Sequence, residues 1–216
     1  MKPLQAIKGA ASKIAPGRAP HFIEAHVIKA LVTLSEEAPV GRIGLAKMLG
    51  LSEGSIRTLI RHIEKKGLIR TSREGITLTT SGHRLVSNLK SKIGPVIEIP
   101  RSPLTVSAFN IAILVKAAAN AVRAGVEQRD AAIRMGAKGA TTLVFKNGKL
   151  IMPLVEEDVL RESPKIREKL LSELKPEEND VIVIGSADTK LTAEYAAITA
   201  ALETLKNQVD KRGSAG

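Results

Sequence analysis

The stretch LSEGSIRTLIRHIEKKGLI, Leu51 to Ile69, places Ile56, Leu59, Ile60 and Ile63 at helical spacing among hydroxyl and positive side chains. Ser52 has the chemistry to cap such a helix, and Glu53 suits its electropositive first turn. Lys65 and Lys66 suit the electronegative last turn, and Gly67 closes it. With the four aliphatics turned toward a core, Ser55, Arg57, Thr58, Arg61 and His62 are left on the outer face. A face of that composition is either solvated or laid against a polyanion. The flanking sequence has to decide.

Upstream, His21 to Leu34 carries Phe22, Ala25, Val27, Ile28, Leu31 and Val32 in a helical rhythm. Val40 to Leu49 reads as a short second helix with Ile43, Leu45, Ala46 and Leu49 apolar, stopped at Gly50. Downstream, Leu68 to Ser72 and Ile76 to Thr80 alternate as strands around Arg73-Glu74-Gly75, a hairpin with a basic tip. Ser81 then stands where it can cap a last helix through Arg84, Leu85, Val86 and Leu89.

This order of parts is that of a winged helix-turn-helix. The segment GLAKMLGLSEGSIRTLIRHIEKKGLIRTSREGITLTTSG resembles the MarR-like and related winged-helix transcription regulators, over Phe22 to about Leu89. The resemblance implies a duplex DNA partner. Its third helix would enter the major groove, where Arg pairs bidentately with guanine and Ser or Thr reaches several base edges. Ser52, Ser55, Arg57, Thr58, Arg61 and His62 are the candidate contacts on that helix. Lys47, Lys65 and Lys66 suit phosphates, and Arg73 suits a phosphate or the minor groove. Winged helices also serve as protein-protein modules, so charge is the next discriminator.

Residues 1–102 hold 17 Lys and Arg against 7 Asp and Glu, whereas residues 103–216 hold 16 against 15. The net charge of +11 therefore sits almost wholly in the first half, together with all four histidines. That asymmetry suits one half meeting a polyanion. A membrane surface would produce the same asymmetry, but it calls for a basic amphipathic helix with bulky apolar residues, and none is obvious. The most apolar stretch, Val106 to Val122, is broken by Asn110, Lys116 and Asn120 and is too short and polar to span a bilayer. The N-terminus lacks the apolar core of a secretory signal, so a soluble cytoplasmic protein without a membrane partner is expected.

The expected layout is a flexible basic leader over 1–20, a winged helix-turn-helix over 21–92, a proline-rich linker over 93–103 and an α/β domain over 104–210. Lys2, Lys8, Lys13 and Arg18 give the leader a second reading as an arm along the DNA backbone. The linker rests on three prolines in KIGPVIEIPRSP. The fold class is α+β (or α/β), the second domain having about four strands. In that domain Thr105 to Lys116 reads as a strand running into a helix over Ala117 to Ala124. Val126 to Met135 and Ser163 to Leu174 read as helices, and TTLVFKNGKLIMP as a hairpin turning at Asn147-Gly148. DVIVIGSAD is a buried strand leading to a long helix capped by Thr192. The segment GVEQRDAAIRMGAKGATTL resembles an uncharacterised archaeal family in which a winged helix precedes this α/β domain.

Two segments of the second half suggest a small-molecule effector site, VEQRDAAIRMGAKGATTL and IGSADTKLT. Strand ends and helix N-termini are where α/β sheets hold ligands. The candidate contacts are Glu127, Arg129, Asp130, Thr141, Thr142, Ser186 and Asp188. The simpler reading, and the better supported one, is an ordinary solvated helix face for the charges and ordinary helix stops for the glycines. Catalysis finds no support: this half has no His and the chain no Cys, and there is no phosphate-cradle motif, metal-ligand cluster or cofactor signature. The expectation is a non-enzymatic, cofactor-free regulator that binds double-stranded DNA as a homodimer, its C-terminal domain serving dimerisation, small-molecule sensing, or both. The alternative is an RNA- or ribosome-associated module; the scarcity of aromatics, 2%, argues against base stacking. A third arrangement, an enzyme fused to a DNA-binding domain, would need catalytic residues in the second half.

Overall fold

A computed structural model describes residues 3–12, 21–154 and 158–213, with side chains of the last helix described as far as Val209. The chain divides into two compact units, Met1–Leu89 and Lys90–Gly216.

The first unit is built on helices. Helix α1 (Pro3–Ala11) is followed by α2 (Glu24–Glu37), α3 (Arg42–Leu49) and α4 (Glu53–Lys65), then by strands β1 (Ile69–Thr71) and β2 (Ile76–Leu78) and helix α5 (Thr80–Lys90). Ile7, Leu31, Leu45, Leu49, Ile56, Leu59 and Ile63 are fully buried. Each such aliphatic contributes about 1.5–3 kcal/mol. Helix α3 ends at Gly50, whose φ of 62° is the left-handed conformation that lets Leu51 N–H donate to Ala46 O at 3.0 Å. Helix α4 starts at Ser52, whose hydroxyl accepts from Ser55 N–H at 3.3 Å. Strands β1 and β2 pair antiparallel in the register Ile69 with Leu78 and Thr71 with Ile76.

Two expectations for this unit are corrected. Part of the leader expected to be flexible is helix α1, whose Ala6, Ile7 and Ala10 are 2, 0 and 0% exposed. Those residues recur at one-helix-face spacing, so the segment has an apolar side to bury despite its charge. Lys2, Lys13 and Arg18 lie outside the described residues. The hydroxyl that caps α5 is that of Thr79, which accepts from Gly82 N–H at 3.1 Å, and Ser81 lies within the helix.

The second unit contains a five-stranded sheet. Its strands are β3 (Ile93–Ile99), β4 (Phe109–Val115), β5 (Gly139–Lys146), β6 (Lys149–Ile151) and β7 (Val181–Ala187), in the spatial order β3-β4-β7-β5-β6, antiparallel throughout. Helices α6 (Val126–Arg134) and α8 (Lys190–Gly213) cover one face. Helix α7 (Pro164–Leu174) covers the other, where Ala112, Leu114, Leu143, Ile182 and Ile184 meet Ile166, Leu170 and Leu174. Central strand β7 is buried along its whole length, as a strand covered on both faces must be. Gly185 shows how closely α8 is seated: a Cβ there would fall 2.6 Å from Ala193 O and 2.7 Å from Ala197 N. Only glycine fits.

The fifth strand is β3, drawn from the segment expected to be a linker. Its prolines misled because they mark breaks in most contexts. Here Pro95 lies in an edge strand, at a register irregularity between Ile93 and Val96, where a missing N–H removes no ladder bond. Strand β4 begins only at Phe109. The expected helix over 117–124 is a single 3-10 turn, Ala119–Ala121. The buried Asp180 carboxylate accepts from Ala117 N–H at 2.7 Å and from Glu177 N–H at 2.9 Å, and Ala117 takes a φ of 48° that a helix does not allow. The α8 cap is Thr189, which accepts from Thr192 N–H at 3.2 Å; Thr192 itself is helical. Asn147 and Gly148 turn the β5–β6 hairpin with φ of 51° and 72°, both positive as a primed turn requires. No helix among the described residues is long and apolar enough to cross a membrane.

Candidate nucleic-acid interface

Helix α4 divides cleanly by face. Ile56, Leu59, Ile60 and Ile63 are at most 9% exposed, and Arg57 and Arg61 stand in solvent on the opposite side with Ser55 and Thr58 half-buried between. The hydroxyls at its start are engaged locally. Ser52 Oγ donates to Ser55 Oγ at 3.0 Å, and Thr58 Oγ1 donates to Gly54 O at 3.0 Å. Both Ser55 and Thr58 keep lone pairs for a further donor. Arg57 Nη2 contacts Glu53 Oε1 at 2.8 Å, and Arg42 Nη2 reaches the same oxygen at 3.4 Å. These are exposed pairs, worth under about 1 kcal/mol, so a phosphate or a guanine edge can replace Glu53 as the guanidinium's partner.

Lys47 on α3, Lys65 and Lys66 at the end of α4 and Arg73 at the hairpin tip are all exposed. The tip is a defined turn, with Ser72 N–H donating to Gly75 O at 2.9 Å and Glu74 N–H to Ser72 Oγ at 3.2 Å. Glu64 Oε1 accepts from Thr71 N–H at 3.0 Å and so ties the hairpin to α4. Two cations of this surface were not among the sequence candidates. Arg42 opens α3, and Arg70 projects from β1, its Nε donating to Thr77 Oγ1 at 3.1 Å across the hairpin. Strand alternation was the signal for Arg70, because its neighbour Ile69 is 2% exposed. A shallow depression of about 420 Å³ separates α3 from α4 between Arg42, Ala46, Lys47 and Glu53. Ile43, 69% exposed, stands on its rim.

His62 is a correction. Expected on the outer face, it is 3% exposed. Its ring meets Phe22 edge-on with centroids 5.4 Å apart, and its Nδ1 donates to Ala10 O at 3.0 Å. The flank of α4 that carries it is the one α1 packs on. His62 joins the core of the first unit instead of reading a groove.

The seven candidate ligand contacts of the second unit do not converge. Thr141 and Thr142 are consecutive in β5, so they point to opposite faces of the sheet. Thr141 Oγ1 donates to Leu104 O at 2.6 Å on the α7 side. Thr142 is buried beneath the start of α6, its hydroxyl 3.3 Å from where a Gly125 Cβ would stand. Ser186 is on the α7 side and donates to the buried Asn110 Oδ1 at 2.7 Å. Asp188 accepts from Ser107 Oγ at 2.9 Å and pairs with Lys138 at 3.0 Å; those two hydrogen bonds hold its carboxyl below the usual range. Ser107, Asn110, Ser186 and Asp188 thus form a latch that fastens the loop after β3 to the end of β7. Glu127, Arg129 and Asp130 lie on α6, which covers the other face of the sheet. Among the described residues no three His, Asp or Glu side chains are grouped to hold a metal ion. The second unit does have a shallow depression of about 380 Å³ elsewhere, between the 3-10 turn and the β5–β6 hairpin, lined among others by Asn120, Lys146, Met152 and Asn179.

Comparison with known proteins finds a separate match for most of each unit. Residues 27–93 match the family described as the CggR N-terminal DNA binding domain. Residues 106–205 match the family described as Domain of unknown function (DUF4443). Among curated proteins none is significantly similar. A solved structure of a hypothetical protein from Pyrococcus horikoshii OT3 is similar over 87% of this chain and 100% of its own, at 27% identity and a TM-score of 0.68. The chain therefore pairs a winged-helix-like unit, similar to a DNA-binding family, with an α/β unit similar to a family without an assigned function.

Proposed function

We propose that this protein is a transcription regulator that binds duplex DNA by setting the outer face of α4 into the major groove. The observation that carries this reading is the two-sidedness of α4: four aliphatics are buried, and Arg57, Thr58 and Arg61 face out between the cations of α3 and the hairpin. Arg57 and Arg61 suit guanine edges, Ser55 and Thr58 suit mixed edges, and Lys47, Lys65, Arg70 and Arg73 suit phosphates. The similarity of residues 27–93 to a DNA-binding domain supports the same reading.

One such helix reads few base pairs, so the proposal includes a homodimer on a two-fold symmetric site. The α/β unit would supply the pairing surface. It would also hold any small-molecule effector, for which the depression beside Lys146 fits better than the seven scattered candidates. Selection of duplexes from a random library, followed by gel shifts over a salt titration and a parallel arm with structured RNA, tests the reading. With roughly six to eight phosphates neutralised per protomer, affinity should fall steeply between low and physiological salt. Recovery of a sequence motif supports direct readout. Equal or tighter binding to structured RNA would replace DNA with RNA as the partner.

A further inference from the structure

Helix α6 presents an unusual outer face. Gln128, Ala131 and Ala132 are buried against α8 and the sheet, with Gln128 Nε2 donating to Thr204 Oγ1 at 3.1 Å. Diametrically opposite, at 3.6 residues per turn, runs the stripe Val126, Arg129, Asp130, Ile133. Val126 and Ile133 are 42% and 47% exposed, two branched aliphatics left in water at either end. Between them Arg129 and Asp130 touch only loosely, at 3.3 Å.

We propose that this stripe is a homodimer seam in which two α6 helices pack antiparallel across a two-fold axis passing between Arg129 and Asp130. Symmetry favours this pairing. An isologous contact requires that residues equidistant from the axis be complementary, since each pairing occurs twice. About this axis Val126 meets Ile133 of the second copy, and Arg129 meets Asp130 of the second copy. Apolar falls on apolar and cation on anion at every position of the stripe. A parallel pairing would oppose Arg to Arg, and a polyanion would oppose Asp130. A uniformly acidic or basic partner would leave one of the two charges repelled. A second copy of the chain satisfies both. Antiparallel packing also sets the helix dipoles head to tail.

The helix is short, about 14 Å at 1.5 Å per residue, so the contact falls well below the roughly 800 Å² per partner of standard interfaces. Association is accordingly weak in free solution. Adjacent half-sites on DNA strengthen it by raising the effective concentration of the second copy. The seam rests on the dimeric reading above and specifies its surface.

The chain has no cysteine, so a single introduced thiol reports the axis directly. The two copies of residue 130 flank the axis close to one another, so full-length Asp130→Cys should cross-link to a dimer under mild oxidation. Glu173→Cys on exposed α7 should not. In sedimentation runs over rising concentration, Arg129→Asp and Asp130→Arg should each weaken self-association about tenfold, by opposing like charges across the axis. The double exchange R129D/D130R should restore it. Circular dichroism checks that each variant is folded. A dimer insensitive to these changes and not linked at position 130 overturns the seam but leaves a dimeric regulator standing. A chain that stays monomeric at every concentration and on DNA overturns both.

Discussion

Replacing His62 with Ala separates a groove reader from a core residue. The structure assigns His62 to the core, so the change should cost stability and leave the outer face of α4 intact. Three losses add. The edge-on contact with Phe22 at 5.4 Å accounts for about 0.5–1.5 kcal/mol. The hydrogen bond to Ala10 O accounts for about 1 kcal/mol, and its loss strands a carbonyl in the last turn of α1. A remaining cavity beneath α1 adds further cost. The sum is of order 2–3 kcal/mol, a drop in Tm of roughly 10–20 °C for a unit of this size. His62→Phe keeps the volume but not the donor and should cost less. The assay is thermal denaturation followed by circular dichroism, paired with duplex affinity at a temperature where the variant is fully folded. Unchanged Tm with a large loss of duplex affinity would refute the burial argument and return His62 to the interface.

Three other outcomes follow from the same geometry. Gly185→Ala should destabilise the α/β unit by about 3 kcal/mol or more, seen in urea titration, because its Cβ would lie 2.6–2.7 Å from backbone atoms of α8 that cannot swing aside. Asp180→Ala should cost about 2 kcal/mol by the same assay, since the amides of Ala117 and Glu177 lose their acceptor. The third concerns pH. Burial, and then the charge of Lys29, lower the His26 pKa to about 4, which leaves its Nδ1 free to accept from Ile23 N–H at 3.2 Å. A depressed imidazole makes the unfolded chain bind the extra proton first, so this contribution is complete above about pH 6.5 and is lost as pH falls toward 4. Solvent screening at a partly exposed site reduces it to about 1–2 kcal/mol. The urea midpoint of wild type should therefore fall relative to that of His26→Gln as pH drops from about 6.5 toward 4, with a constant offset above pH 6.5; parallel curves across that window would contradict the assignment.

What the sequence discloses depends on whether a segment's own pattern is enough to place it. Helix α4 carries its cap, its apolar stripe and its stop within nineteen residues, and those local signals survive into the structure. The Asn147-Gly148 hairpin is legible for the same reason. Helix α1 is not, because three small or aliphatic residues among charges look unremarkable until a partner surface is known. The misplacement of His62 follows from that omission, since α1 is what covers it. Strand β3 hid behind Pro95, whose cost vanishes only at a sheet edge, and edge position is a property of topology. The seven residues expected from the sequence to hold an effector are scattered for reasons of elementary periodicity. Consecutive residues Thr141 and Thr142 cannot both face one ligand across a strand, and Ser186 and Asp188 were already committed to the latch around Asn110. The palindromic order of α6 was present in the sequence throughout. It acquires meaning only once Gln128, Ala131 and Ala132 are known to face inward.

On the proposed function, the outer face of α4 meets the inside of a duplex. Quantitative gel shifts on a selected duplex, comparing wild type with Arg57→Ala, Arg61→Ala and Lys47→Ala at several salt concentrations, test it most directly. Each arginine change should weaken specific binding by about 1–3 kcal/mol and relax preference at its own base pair. Lys47→Ala should weaken all sequences alike and flatten the salt slope by about one. Folded arginine variants that bind the selected duplex as tightly as wild type would contradict it.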